Sequence, residues 1–218
     1  MRVGILGSGL MGAKLGTLFA RAGHDVTFSY AHSDAKLKRL AREAGKNAQA
    51  GAPREAAQDA DALLFAVHWS RMDDVFRQIG DVPGKVIVSC SLPMNADNTE
   101  LAIAGKSSGA EALAKRLPKA RIVSAFNTVP SEVLFDVFAG RRKATKPSLV
   151  YCGDDSRGKK VAAELIRDVA FDPVDLGALR MARYSEPFAL LVAQIAYEGK
   201  SGPAIAYRFE RFGGERGV

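Results

Sequence analysis

Met1-Arg-Val-Gly-Ile-Leu-Gly-Ser-Gly-Leu-Met-Gly12 is the stretch that decides the fold. Residues 3–6 form an apolar run, residues 7–12 carry the spacing G-x-G-x-x-G, and an Ala/Leu-rich segment follows over 13–22. The order is strand, tight glycine turn, helix. The spacing fits a dinucleotide site: Gly7 allows the sharp turn, Gly9 presents no Cβ to a pyrophosphate, and Gly12 lets the helix lie close to the strand. The free N–H groups of the first helical turn then face the phosphates. A glycine turn by itself is usually only a turn. Here a buried strand precedes it, a helix follows it, and Gly23-His24-Asp25 leads into a second strand over 26–30, with His24 read as a spacer.

Outward from this start, the pattern alternates between short β-type runs and helical periods. Ser33 is placed to cap a helix with the face Leu37, Leu40, Ala41 and Ala44, closed by Gly45. Pro53 opens a short helix through Ala60. Residues 62–67 are continuously apolar, as in a strand covered on both faces. A helix over 70–79 and a strand over 85–89 follow, then an irregular polar stretch over 92–107 and a helix over 109–117. A strand over 121–125 leads to the loop Asn127-Thr-Val-Pro130 and a helix capped by Ser131. Beyond the basic loop at 141–146 come a strand (148–152), a helix capped by Ser156 and a last strand (172–176). From Ala178 the pattern is helical, strongest over 184–197, and the end at 213–217 looks frayed. The expected architecture is α/β: a Rossmann-type, doubly wound, mainly parallel sheet of about eight strands. It comprises a dinucleotide-binding domain over 1–177 and a small C-terminal helical extension over 178–218 that closes over the cofactor or a partner subunit.

Bulk properties agree with one such domain. The 218 residues suffice for a doubly wound sheet plus a few helices and not for two large domains, given typical domains of about 100–200 residues. Met1-Arg2 passes straight into a core strand, leaving no room for a signal peptide, and the apolar stretch 188–195 is short of the roughly 20 residues a span needs. A cytoplasmic protein without membrane contact is expected. Cys90 and Cys152 read as buried free thiols, with too few cysteines for a metal site. The net charge of +7 invites nucleic acid as a partner. Its scatter over helices, with acids interspersed and no basic stripe bearing aromatics, argues against that. Positive potential suits a polyanionic small molecule instead.

The end of the second strand discriminates between cofactors. An NAD site places Asp or Glu there to accept from the ribose 2′-hydroxyl. This chain has Ser29-Tyr-Ala-His-Ser33, with no acid before Asp34. Hydroxyls, an imidazole and a helix N-terminus suit a 2′-phosphate, with Lys36 near enough to add charge, so NADP(H) is expected despite the missing arginine.

Several separated motifs resemble one family, the NADPH-dependent F420 reductases or F420-dependent NADP oxidoreductases, together with the related cytosolic domains of ferric reductases. They are Gly7-Ser-Gly-Leu-Met-Gly12 with Gly23-His24, then Ala66-Val-His-Trp69 and Val123-Ser-Ala-Phe-Asn-Thr-Val-Pro130. Further on come Cys152-Gly-Asp-Asp155, and Asp175-Leu-Gly-Ala-Leu-Arg-Met-Ala-Arg183 with Glu186-Pro187. The resemblance implies a single-domain, often dimeric oxidoreductase passing hydride between nicotinamide and a second redox cofactor, F420 or a flavin. Carried over by position, Gly7, Ser8, Gly9, Leu10, Met11 and Gly12 would hold the pyrophosphate, and Ser29, Tyr30, Ala31, His32 and Ser33 the adenosine 2′-phosphate. Ala66, Val67, His68, Trp69, Cys90, Ala125, Phe126 and Asn127 would lie along the nicotinamide half. Two positions depart from the family: His68 stands where a proline is common, and Ala31 where a basic residue is usual.

No lysine–asparagine pair of the hydroxyacid-dehydrogenase kind and no nucleophile elbow is present in the pattern. For a deazaflavin or flavin acceptor that is harmless, because the cofactors carry the chemistry. For a ketone or imine acceptor a proton donor is needed, and His68 is the one candidate. The rival readings are therefore a small NADP-dependent carbonyl or imine reductase, and a non-catalytic NADP(H)-sensing module.

Overall fold

The computed structural model describes residues 1–210 and Phe212; the expected frayed end at 213–217 lies outside them. β1 (Arg2–Leu6) runs parallel between β2 (Asp25–Ser29) and β4 (Ala62–Phe65), with Val3 paired to both Val26 and Ala62. β3 (Ala48–Ala50) pairs with β2 at the edge, and β5 (Val86–Ser89) and β6 (Arg121–Ala125) extend the sheet beyond β4. β7 (Ser148–Gly153) is antiparallel to β6, and β8 (Asp172–Asp175) is parallel to β7. The order is β3-β2-β1-β4-β5-β6-β7-β8. It reverses between β1 and β4, and the crevice outside the strand ends at such a reversal is where open α/β sheets bind ligands.

The helices cover both faces, which is why the central strands are apolar without interruption. α1 (Leu10–Arg21), α2 (Asp34–Ala44), α6 (Leu134–Ala139) and α7 (Ser156–Asp168) enclose one core with Phe19, Phe28, Phe126 and Phe171 fully buried. α3 (Pro53–Gln58), α4 (Met72–Ile79) and α5 (Gly109–Arg116) cover the other around Leu63, Phe65, Val75 and Ile87. Burial of each such side chain contributes about 1.5–3 kcal/mol. The expected face of α2, Leu37, Leu40, Ala41 and Ala44, is its buried face, and the Ser33 hydroxyl accepts from the Lys36 N–H. Among the described residues no helix is long and apolar enough to cross a membrane.

Several local expectations are corrected. Ser131 does not cap a helix; it begins a 3-10 turn (Ser131–Val133) after Pro130, and its hydroxyl donates to Glu132. Asp155, not Ser156, caps α7, because its carboxylate is the group that accepts from the Gly158 N–H at 2.7 Å. His24 is more than a spacer. It is 6% exposed, with Nε2 2.9 Å from Asp168 Oδ2 and Nδ1 3.3 Å from the Met1 amine, so it ties the α1–β2 turn to α7.

The C-terminal segment docks through polar contacts. α8 (Ala182–Ala193), which continues into a π-turn (Gln194–Glu198), presents Glu186 to the start of α5. There Glu186 accepts from the Gly109 N–H (2.8 Å) and the Ala110 N–H (3.0 Å). Arg183 forks onto Glu111, holding that carboxyl below its usual range. Arg183 and Glu186, part of the motif that carries the family resemblance, thus anchor α8. Further on, Tyr207 lies at the start of β7. Its carbonyl accepts from the Ser148 N–H, and its hydroxyl accepts from the Val150 N–H and bonds the Thr128 hydroxyl at 2.7 Å.

Burial pushes Glu186 up to about 7, against the opposing pull of the two backbone N–H groups. The folded state therefore holds a proton that the unfolded chain releases near 4.5. Stability from this group is full below about pH 4.5 and is lost as pH rises through about 7. Urea unfolding at pH 5 and pH 8 should show wild type losing roughly 2–3 kcal/mol relative to Glu186→Gln over that interval. Parallel pH dependences for the two proteins would contradict this account of the docking contact.

Candidate dinucleotide site

The turn at the end of β1 is held by backbone geometry. Gly7 has φ +105°, its N–H donates to the Ser29 carbonyl, and the Ser8 N–H donates to the Tyr30 carbonyl at 3.0 Å. The Ser8 hydroxyl donates to the Ser29 carbonyl (2.9 Å), and the Ser29 hydroxyl to the Ile5 carbonyl (2.7 Å). A Cβ on Gly7 would strike the Ala66 carbonyl, and one on Gly12 would strike the Gly7 carbonyl. A Cβ on Gly9 would meet nothing within 4 Å. Gly9 is also the N-cap of α1, without a side-chain cap, so the first-turn N–H groups face open space. That combination is the cradle a pyrophosphate requires, and the residues present fit a dinucleotide.

A cavity of about 980 Å³ extends from this cradle. It runs past Tyr30, Ala31 and His32 to Lys36 and Lys38 of α2, and along the loop Gly51-Ala-Pro53. The opposite wall is Ala66, Val67 and His68 at the end of β4, then Ser70, Arg71, Asp74 and Gln78. Tyr30 adopts a left-handed φ of +54°, and its hydroxyl crosses the end of the cavity to donate to Asp74 at 2.7 Å. Burial first, then Asp74, pushes the Tyr30 hydroxyl up to about 12. The Tyr30 and Arg77 contacts hold Asp74 below its usual range.

Of the expected site residues, the cavity brings together Gly7, Ser8, Gly9, Tyr30, Ala31, His32, Ala66, Val67 and His68. Leu10 is 73% exposed and outside the lining, while Gly12 packs behind the turn. Ser29 is fully buried with its hydroxyl on Ile5, and the Ser33 hydroxyl caps α2, so neither hydroxyl lines the cavity. Trp69 and Met11 pack against the cores. Cys90, Ala125, Phe126 and Asn127 lie farther along the same edge, past β5 and β6. The Cys90 thiol donates to the Phe65 carbonyl and burial pushes it up to about 12; the Asn127 amide donates to the Ser124 hydroxyl. The Phe126 side chain belongs to the core, edge-on to Phe19. Among the described residues nothing beyond Gln78 lines the cavity.

His68 is engaged at both ring nitrogens. Nδ1 accepts from the Ser70 N–H, and Nε2 lies 2.7 Å from Asn98 Oδ1, so Nε2 carries the proton. Asn98, with φ +56°, belongs to a loop closed by the Met94–Leu101 bridge and by Asn95 side-chain contacts to Thr99 and Glu100. The ring therefore ties this loop to the cavity rim. Sequence reasoning missed Lys38, Arg71, Asp74 and Gln78. The last three recur at three- and four-residue spacing, one helix face, which was the available signal. Among the described residues no His, Cys, Asp and Glu cluster could hold a metal ion.

Comparison with known proteins agrees with this geometry. A family model described as NADP oxidoreductase, coenzyme F420-dependent, matches residues 2–93. Metalloreductase STEAP3 of Rattus norvegicus is 30% identical over 189 residues, which are 87% of this chain. The chain spans 36% of that protein's length. The crystal structure of a proposed F420-dependent NADP-reductase from Arthrobacter sp. FB24 superposes with a TM-score of 0.83 at 20% identity, covering 96% of this chain and 99% of that one. Hypothetical protein SMa0349 from Sinorhizobium meliloti gives 0.73 at 24% identity, with 96% of each chain covered. These two structural likenesses bear on the fold. The glycine cradle and the crevice at the β1–β4 reversal fall within or beside the segment, residues 2–93, that is similar to the F420-dependent NADP oxidoreductases.

Proposed function

We propose that this protein binds NADP(H) and passes hydride between its nicotinamide and a deazaflavin or flavin docked beside it. The observation that carries the reading is the engagement of the polar groups near the strand ends. Both His68 nitrogens are bonded, the Cys90 thiol is held neutral, and the Asn127 amide is turned onto Ser124. Such an edge suits a reaction in which the protein supplies position and exclusion of water rather than a proton. Bound NADPH would supply a hydride from C4 of its nicotinamide. The residues that would hold it are Gly7, Ser8 and Gly9 at the pyrophosphate and Tyr30, Ala31 and His32 at the adenosine end. Their role is to keep the two rings face to face, about 3–3.5 Å apart.

The decisive test mixes purified protein and NADPH with F420, then with flavin, then with a panel of carbonyls and imines, while the nicotinamide band is followed. Oxidation with F420 or flavin supports the proposal. Turnover with carbonyls or imines alone would replace it by a small reductase, and NADPH binding without any turnover would replace it by a sensing module.

Gly9→Val should abolish dinucleotide binding with little change in melting temperature, because the new side chain enters open space that the phosphates need. Normal affinity in the folded variant would remove the basis of the cradle. NADPH should bind at least about tenfold tighter than NADH, the worth of one charge-assisted contact; superimposable titrations would sink the cofactor assignment. His68→Ala should mainly raise the acceptor's KM through loss of the Asn98 tether and leave kcat within about tenfold. A fall in kcat of about 10²–10⁴ would instead identify a proton donor.

A further inference from the structure

We propose that Arg71, on the turn after β4, supplies the cation for the adenosine 2′-phosphate that the end of β2 lacks; the inference rests on the NADP(H) reading above. Ala31 lines the cavity with a methyl group, the Ser29 hydroxyl is donated to the Ile5 carbonyl, and Ser33, whose oxygen accepts from the Lys36 N–H, carries no charge. Arg71 lines the same cavity from the opposite wall, across from Lys36 and Lys38. Its guanidinium forms no ion pair among the described residues.

The acid nearest on its own helix face, Asp74, is already satisfied. It accepts from the Tyr30 hydroxyl at 2.7 Å, from Arg77 at 3.1 Å and from Gln78 at 3.0 Å. The same Tyr30 bond stretches the phenol across the end of the cavity and draws the end of β2 toward the turn that carries Arg71. An anion seated against Ala31 would thus lie between the two lysines and a guanidinium whose planar fork matches a phosphate. Besides Asp74, the lining holds one further acid, Asp34, so two acids face Lys36, Lys38 and Arg71. Asp34 sits in the first turn of α2, where the helix N-terminus offsets part of its field. The two lysines and Arg71 outnumber the two acids.

The test is calorimetric titration of the purified protein with 2′,5′-ADP and with 5′-AMP, repeated with NADPH and NADH. Arg71→Ala should weaken 2′,5′-ADP and NADPH by about ten- to a hundredfold, the range of one charge-assisted contact. Binding of 5′-AMP and NADH should stay within about twofold, which also reports an intact fold, and Arg71→Lys should recover part of the loss. Equal weakening of phosphorylated and unphosphorylated ligands would overturn the inference by making Arg71 a contact to the shared adenosine or pyrophosphate. No change in either would overturn it in favour of Lys36 and Lys38. If wild type itself fails to separate 2′,5′-ADP from 5′-AMP, the NADP(H) reading falls first; if wild type separates them and Arg71→Ala still does, the inference alone falls.

Discussion

Everything at the working edge depends on how closely three backbones meet at Gly7. The Ala66 carbonyl crowds one side of that residue, the Gly7 carbonyl in turn crowds Gly12, and the Gly7 N–H is donated to Ser29. No side chain fits into either contact. As a result β1 is pinned between β2 and β4, and α1 starts close against the sheet with its N-terminus aimed past Gly9. The open space at Gly9 is the other half of the same constraint. Tight packing behind the turn leaves room in front of it, so the fold and the binding surface share one local cause.

The two ends of the cleft are built differently. One end is polar and carries Lys36, Lys38 and Arg71 around a phenol bonded to Asp74. Past β5 and β6 the side chains are already engaged, the Cys90 thiol on the Phe65 carbonyl and the Asn127 amide on the Ser124 hydroxyl, or are buried in the core like Phe126. On the proposed binding of NADP(H), long-range attraction would act on the phosphates, while the reacting ring would meet side chains that are already engaged. His68 stands at the junction and holds the loop around Asn98. That division suits an oxidoreductase whose selectivity for the dinucleotide and whose chemistry are set in separate places.

Much of the fold was legible because burial on both faces leaves continuous apolar runs at β1, β4 and β5, and because glycines and prolines mark the turns. β3 was not named from sequence. Its three residues, Ala-Gln-Ala, form no apolar run, and only pairing with β2 makes them a strand. The reversal of β7 was equally silent, since a strand reads the same in either direction. At the site, the glycine spacing disclosed the cradle, while the sequence did not show that the Ser29 hydroxyl donates to the Ile5 carbonyl and that the Ser33 oxygen accepts from the Lys36 N–H. Arg71 escaped because the family pattern directs attention to the end of β2, and its approach to that strand is a tertiary fact. His24 escaped because its partners, Met1 and Asp168, are remote from it in the chain.

Tyr207 adds a constraint of timing. Synthesis runs from the amino end, so β6, its following loop and β7 leave the ribosome before the phenol that bridges Thr128 and Val150 exists. A nascent chain can assemble the sheet and its glycine turn while the loop after β6 still lacks its clasp. A peptide fused downstream, or a protease cutting between α8 and Tyr207, would then act on the loop after β6 and on β7 without touching any residue of the cavity.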